Sequence, residues 1–136
     1  MLDMTLAMAE RAVRAAQDKA RQLGTPMTVT VVDEAGRLVL SARGDGTGFF
    51  TPETSRAKAV AAANFRMSTA DMADRAQKHS AFWTAVPSAL RGEVLPSHGG
   101  MPITLKGRVI GGIGCGGGSG EQDHECAVAG ATALAG

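Results

Sequence analysis

The chain has 136 residues, of which 44% are hydrophobic and 20% are charged, and its formal net charge is +1. This composition is typical of a folded protein, and the near-neutral charge without a basic block argues against nucleic acid as a main partner. No apolar run approaches the ~20 residues that span a bilayer, and the amphipathic N-terminus does not resemble a signal peptide. We therefore expect one cytoplasmic domain over residues 1–136, with neither nucleic acid nor membrane as a partner.

The first third of the sequence predicts a helix followed by a β-hairpin. Residues 3–23 carry apolar side chains at helical spacing, and Gly24 is a typical residue to end such a helix. Residues 27–33 are rich in β-branched side chains, and residues 37–43 form a second such run after a short turn. Two adjacent runs of this kind predict an antiparallel pair of strands.

The middle of the sequence predicts two helices and then a segment without a single type. Thr51 and Pro52 are a helix-start signature, and the Ala-rich stretch behind them continues to about Phe65. A second helix is predicted from Thr69 to roughly His79. Residues 80–98 mix aromatic, proline and polar side chains and are predicted as a mixed segment.

The last third predicts a second hairpin and a final helix. Residues 101–106 and 108–115 are the two strands, and the helix is predicted over 123–135, with the carboxylates of Glu121 and Asp123 capping its free N–H groups. The order of helix, hairpin, two helices, hairpin and helix favours an α+β fold, in which helices flank an antiparallel sheet.

Glycines are concentrated at two predicted bends, around residues 99 and 117. Glycine lets a ligand approach the backbone closely, and a strand that leads through glycines into a helix leaves N–H groups unpaired, which suits an anion or a flat ligand. We expect the two bends to meet and border a hollow near His98. The glycine run lacks the Gly-Lys-Ser/Thr of a phosphate-binding P-loop, and no βαβ unit surrounds it. The glycines expected to line the hollow are Gly99, Gly100, Gly116 and Gly117.

Three segments of this region, Gly99–Ile103, Gly107–Gly114 and Gly118–Asp123, together resemble the GlcG/HbpS-like haem-binding family, which includes the C-terminal domain of PduO-type corrinoid adenosyltransferases. Val31–Val39 and Ser55–Ala59 fit the same family, so the resemblance covers nearly the whole chain. It implies a profilin-like α+β fold, a homo-oligomer (often an octamer), and binding of haem or a related tetrapyrrole.

Two positions depart from the family pattern. The family usually has Val-Ser-Gly where this chain has Cys115-Gly116-Gly117, and an acid is common where it has His124. A thiol and an additional imidazole beside the glycine loop indicate either specialised chemistry or neutral change.

The candidate haem-contacting side chains are few. His98 is the candidate ligand of the haem iron, because a neutral imidazole ligates iron and the neighbouring glycines keep it accessible; the alternative is an exposed loop histidine. Arg56 and Lys58, on the Ala-rich helix, are candidates to pair with the haem propionates. The alternative for both is a solvated helix face.

Three functions remain open from the sequence. The first is a small oligomeric binding protein for haem or a related flat anionic cofactor. The second is a catabolic enzyme that acts on a small organic acid or ring-cleavage product, with His98 as general base and Cys115 or the loop amides stabilising negative charge. The third is a structural subunit whose glycine loops serve assembly. For Cys115 the alternative is a small buried residue, and Cys126 is expected in the core as a reduced thiol.

Overall fold

The architecture is that of a four-stranded sheet with helices on both faces. The computed structural model describes residues 3–135, and within that range every strand pair is antiparallel, in the order β2-β1-β4-β3. The elements are α1 (Leu6–Leu23), β1 (Thr28–Asp33), β2 (Leu38–Ala42), α2 (Thr51–Phe65), α3 (Thr69–Lys78), α4 (Ser80–Ala89), β3 (Gly100–Leu105), β4 (Arg108–Gly116) and α5 (Gly120–Leu134). The predicted α+β fold and both predicted hairpins are confirmed. Among residues 3–135, each helix is too short or too polar to be a candidate membrane span.

The two faces of the sheet carry different layers. Helices α1 and α5 pack on one face, over a core to which β4 contributes Ile113 and Cys115, while α2, α3 and α4 build a second core on the other face. Successive residues of a strand point to opposite faces, so Gly112, Gly114 and Gly116 of β4 face α2. The strand is therefore side-chain-poor on the α2 side.

Helix α2 lies directly on the backbone of β4. A methyl group on Gly114 would overlap the backbone oxygen of Ser55 and stand 2.7 Å from the Ala59 nitrogen. Beside this contact, the hydroxyl of Thr30 in β1 and that of Ser55 share a buried hydrogen bond of 2.7 Å. The missing side chains on β4 allow a close approach that fixes where the first turns of α2 lie.

The segment predicted as mixed contains a helix. Residues Ser80–Ala89 form α4, and its side chains Trp83 and Val86 are buried against α2 and α3. Pro87 lacks the N–H of the helical ladder, but it lies in the last turn, and the helix ends two residues later. Tertiary burial of one turn of apolar side chains outweighs the weak local signal.

Helix α5 begins earlier than predicted and has a different cap. Ser119 accepts a hydrogen bond from the Gln122 nitrogen, and the Gln122 side chain accepts one from the Ser119 nitrogen, which is a capping box. The helix therefore begins at Gly120 rather than at Asp123. The expectation that Glu121 and Asp123 cap the helix is corrected, because Ser119 and Gln122 form the cap, while Asp123 is buried and accepts from the Gly118 nitrogen, one residue before the cap.

Candidate functional site

The two glycine bends meet, as predicted. The Cys115 nitrogen donates a hydrogen bond of 2.8 Å to the Gly99 carbonyl. Gly99 has a φ of +120°, and a methyl group there would stand 2.6 Å from the Cys115 oxygen and 2.9 Å from the Asp123 Cβ. Only glycine fits between the end of β4 and the start of α5, both for conformation and for space.

A buried ion pair lies beneath the bends. Lys58 Nζ donates to Asp123 Oδ2 at 3.1 Å and to the Cys115 carbonyl at 2.9 Å, and the two charged side chains are only 8% and 7% exposed. Asp123 Oδ1 accepts from the Gly118 nitrogen at 2.9 Å. Burial raises the pKa of Asp123, while Lys58 and the Gly118 amide oppose that rise. The pair ties α2, β4 and α5 together.

Sequence reasoning missed this pair, although a signal for it exists. Lys58 lies one turn from Ser55 and Ala62 on a helix whose small residues are nearly all buried, so the stripe that contains it points into the protein. The sequence predicts Asp123 as a helix cap, and this interpretation does not account for the inward orientation of its side chain.

A cleft of about 260 Å³ opens beside the ion pair. Thr51 and Thr54, in the first turn of α2, line one side, residues 116–118 line the other, and Phe50 and Leu95 add apolar surface. Lys58 and Asp123 both border it, and the first turns of α2 and α5 each contribute lining residues. We refer to this space as the ion-pair cleft.

His98 lies next to the bends but does not line the ion-pair cleft. It is half-buried over the start of α5, where a methyl group on Gly120 would stand 3.3 Å from the His98 Cβ. Its ring centroid is 6.4 Å from that of His124, with the two rings nearly perpendicular. His124 Nδ1 is buried and has no hydrogen-bond partner among residues 3–135. We refer to these two residues as the imidazole pair.

His124 also borders a groove along α5. The groove has a volume of about 550 Å³, which is within the range of cofactor sites. Sequence reasoning did not identify it, although its α5 positions recur at helical spacing and carry mostly small or apolar side chains. The lining residues are Lys19, His124, Glu125, Val128, Ala129 and Thr132.

The structure places the predicted site residues in three separate locations. Lys58, Gly116 and Gly117 border the ion-pair cleft, whereas His98, Gly99 and Gly100 form the adjoining bend. Arg56 is exposed on the outer side of α2, in a shallow cavity with Glu53 and Glu93. Arg56 and Lys58 are two residues apart, or about 200° around the helix axis, so only Lys58 turns inward. Their roles in ligand binding remain predictions.

Cys115 is fully buried, and this burial predicts how its thiol reacts with an alkylating agent. Burial raises the pKa of the Cys115 thiol well above its usual value, and it raises the pKa of Cys126 to about 11. Both thiols are free. Because the thiolate is the reactive form, we expect iodoacetamide at pH 7 to alkylate neither cysteine of the folded protein while it alkylates both in urea, as followed by mass spectrometry. Rapid alkylation of native Cys115 would instead support the predicted catalytic role.

Known proteins are similar to this chain over most of its length. The family model described as "Haem degrading protein HbpS-like" matches residues 4–132. A 15.0 kDa protein of Citrobacter freundii, from the dhaT-dhaS intergenic region, is 31% identical over 121 residues, which cover 89% of this chain and 84% of that protein. The corrinoid adenosyltransferase PduO of Salmonella typhimurium is 33% identical over 114 residues, 84% of this chain. This chain spans only 34% of PduO.

Solved structures match over nearly the full length. The crystal structure of a PduOC:heme complex superposes with a TM-score of 0.86 at 30% identity, covering 96% of this chain and 94% of that one. A double mutant of HbpS from Streptomyces reticuli superposes with a TM-score of 0.86 at 32% identity, covering 96% of this chain and 86% of that one. The extent of the family match, together with these relatives, shows that the chain belongs to the HbpS-like family.

Proposed function

We propose that this protein binds haem in the groove along α5 and that the imidazole pair, His98 and His124, supplies the ligand to the iron. The family is described as haem degrading, and the related PduOC was crystallised with heme. Haem, when bound, supplies an iron that changes oxidation state and binds small ligands.

The observation that carries the proposal is the unpartnered nitrogen of His124 beside the groove. A buried polar atom without a hydrogen bond is costly, so such an atom calls for an explanation. Neutral imidazole is the common protein ligand of haem iron, and the groove of about 550 Å³ beside His124 is large enough for a flat cofactor. Val128 and Ala129 offer apolar contact to a ring, and Lys19 offers a cation to an acidic substituent.

Assembly into a homo-oligomer, such as an octamer, belongs to the same proposal. The side chains of Phe49 and Phe50 are 87% and 55% exposed, and Phe82 is 55% exposed. The rings of Phe49 and Phe50 lie 5.8 Å apart, and a contiguous exposed apolar patch marks a surface that other proteins cover. Arg56 remains a candidate partner of propionates from a neighbouring subunit in such an assembly.

Haemin titration of the three single histidine variants tests the proposal. We expect the unaltered protein to shift and sharpen the Soret band of haemin with a saturable profile. Because His124→Ala and His98→Ala each remove part of the imidazole pair, we expect at least one of them to lower the haemin affinity by about tenfold or more. His79→Ala is the matched control, since His79 is exposed at the end of α3, and its affinity is expected to stay unchanged.

Two results would contradict the proposal in different ways. A Soret spectrum that is indistinguishable from that of haemin with an unrelated protein would end the haem assignment. Equal affinities for all three variants and the unaltered protein would leave haem binding in place but exclude the imidazole pair as its ligand.

A further inference from the structure

Lys58 has a donor that the ion pair does not use. An ammonium group carries three hydrogens, and two of them go to Asp123 Oδ2 and to the Cys115 carbonyl. Within residues 3–135, the structure gives the third hydrogen no acceptor. Because Lys58 borders the ion-pair cleft, that hydrogen is available to a ligand in the cleft.

The space in front of Lys58 is open and has defined neighbours. At the point where a methyl group on Gly116 would stand, the nearest atom is Thr54 Oγ1 at 3.4 Å, followed by Lys58 Nζ and Thr51 Cβ, both at 3.9 Å. A ligand oxygen close to this point is within reach of both the ammonium and the Thr54 hydroxyl. The side chain of Thr54 makes only a long hydrogen bond of 3.4 Å, to the Thr51 carbonyl, so it is free to reorient.

The charges around the cleft favour an anion. Lys58 neutralises Asp123, and Asp123 also accepts from Gly118, so the pair contributes little net charge. Thr51 and Thr54 in the first turn of α2 and Asp123 in the first turn of α5 border the cleft, and helix N-termini carry partial positive charge. The nearby acids Glu53 and Glu121 are exposed, where solvent screens them.

We propose that the ion-pair cleft binds a small carboxylate, whose oxygens accept hydrogen bonds from Lys58 Nζ and Thr54 Oγ1. The volume of about 260 Å³ lies just below the range for drug-sized ligands, so the ligand is an acid of a few carbons. Phe50 and Leu95 provide apolar surface for those carbons. This site is separate from the groove along α5 and does not rest on haem binding.

Titration with sodium glycolate and sodium acetate, followed by NMR of the backbone amides, tests the site. Sodium chloride at the same ionic strength, neutral ethylene glycol and cationic methylammonium chloride are the comparison solutes. We expect saturable shifts of the amides of residues 116–118 with the two carboxylates only. Thr54→Val keeps the shape of the side chain but removes its hydroxyl, and it is expected to weaken glycolate binding by about tenfold.

Gly116→Ala is the decisive variant because it fills the cleft without a clash. Its methyl group has no atom closer than 3.4 Å, so the fold is expected to persist, as circular dichroism checks, while glycolate binding is lost. Thr132→Val, in the groove along α5, is the matched control and is expected to bind glycolate normally. Haemin binding of Thr54→Val, whose hydroxyl lines only the ion-pair cleft, is expected to be unchanged, which separates this proposal from that for haem.

The proposal is overturned if chloride or ethylene glycol produces the same shifts as glycolate, or if folded Gly116→Ala still binds glycolate with unchanged affinity. These titrations contain no haemin, so a failure of the haem proposal does not affect their outcome.

Discussion

Replacing Lys58 with methionine is expected to destabilise the protein by about 3–5 kcal/mol, the cost of leaving one member of a buried ion pair without its partner. Asp123 would then keep the hydrogen bond from Gly118 but lose its cation. Burial already raises the pKa of Asp123, and removal of Lys58 raises it further. The carboxylate is therefore neutral over a wider range of low pH, so the destabilisation is largest at neutral pH and shrinks as the pH falls.

Urea unfolding at several pH values measures this effect, and the same helix provides the control. Arg56→Met removes a cation two residues away, but Arg56 is exposed, and its loss is expected to change the free energy of unfolding by no more than about 0.5 kcal/mol. The double variant Lys58→Met, Asp123→Leu removes both charges and is expected to recover much of the loss. If Lys58→Met lowers the free energy of unfolding no more than Arg56→Met does, the ion pair does not contribute to stability as a buried pair.

Replacing Gly114 with alanine is expected to cost about 3 kcal/mol, at the upper end of the usual range for an overpacked core. Its methyl group would overlap the Ser55 carbonyl and stand 2.7 Å from the Ala59 nitrogen. Both are backbone atoms of α2, so relief requires the helix as a whole to move away from the sheet. Thermal and urea unfolding of the variant measure the cost.

Gly116→Ala is the control for this second substitution as well. Gly116 is the next residue of β4 that faces α2, but its added methyl group meets nothing closer than 3.4 Å, which is ordinary van der Waals contact. We expect a change in unfolding free energy of less than about 1 kcal/mol. Similar costs at Gly114 and Gly116 would mean that the close contact of α2 with β4 does not limit stability.

Most elements of the fold are predictable because their signals are local. The helical spacing of apolar residues predicts α1, and Gly24 ends that helix with a left-handed conformation, as expected. A run of β-branched residues predicts the first hairpin, and two strand-like segments joined by a tight turn at Gly107 predict the second. Helix α4 is the exception, since Trp83 and Val86 form its core contacts only because α2 and α3 are there to cover them.

The glycines at 99 and 116–118, the family and the meeting of the two bends are all evident from the order of residues along the chain. The direction in which each charged side chain points is not evident, because it depends on partners that are distant in sequence. Lys58 and Asp123 are 65 residues apart, and Arg56 differs from Lys58 only in which side of α2 it occupies. The packing of α2 and α5 against β4 determines which side chains become buried. It therefore buries Lys58 but not Arg56 and pairs Lys58 with Asp123, which the sequence predicts as a helix cap. It also places the imidazole pair outside the ion-pair cleft.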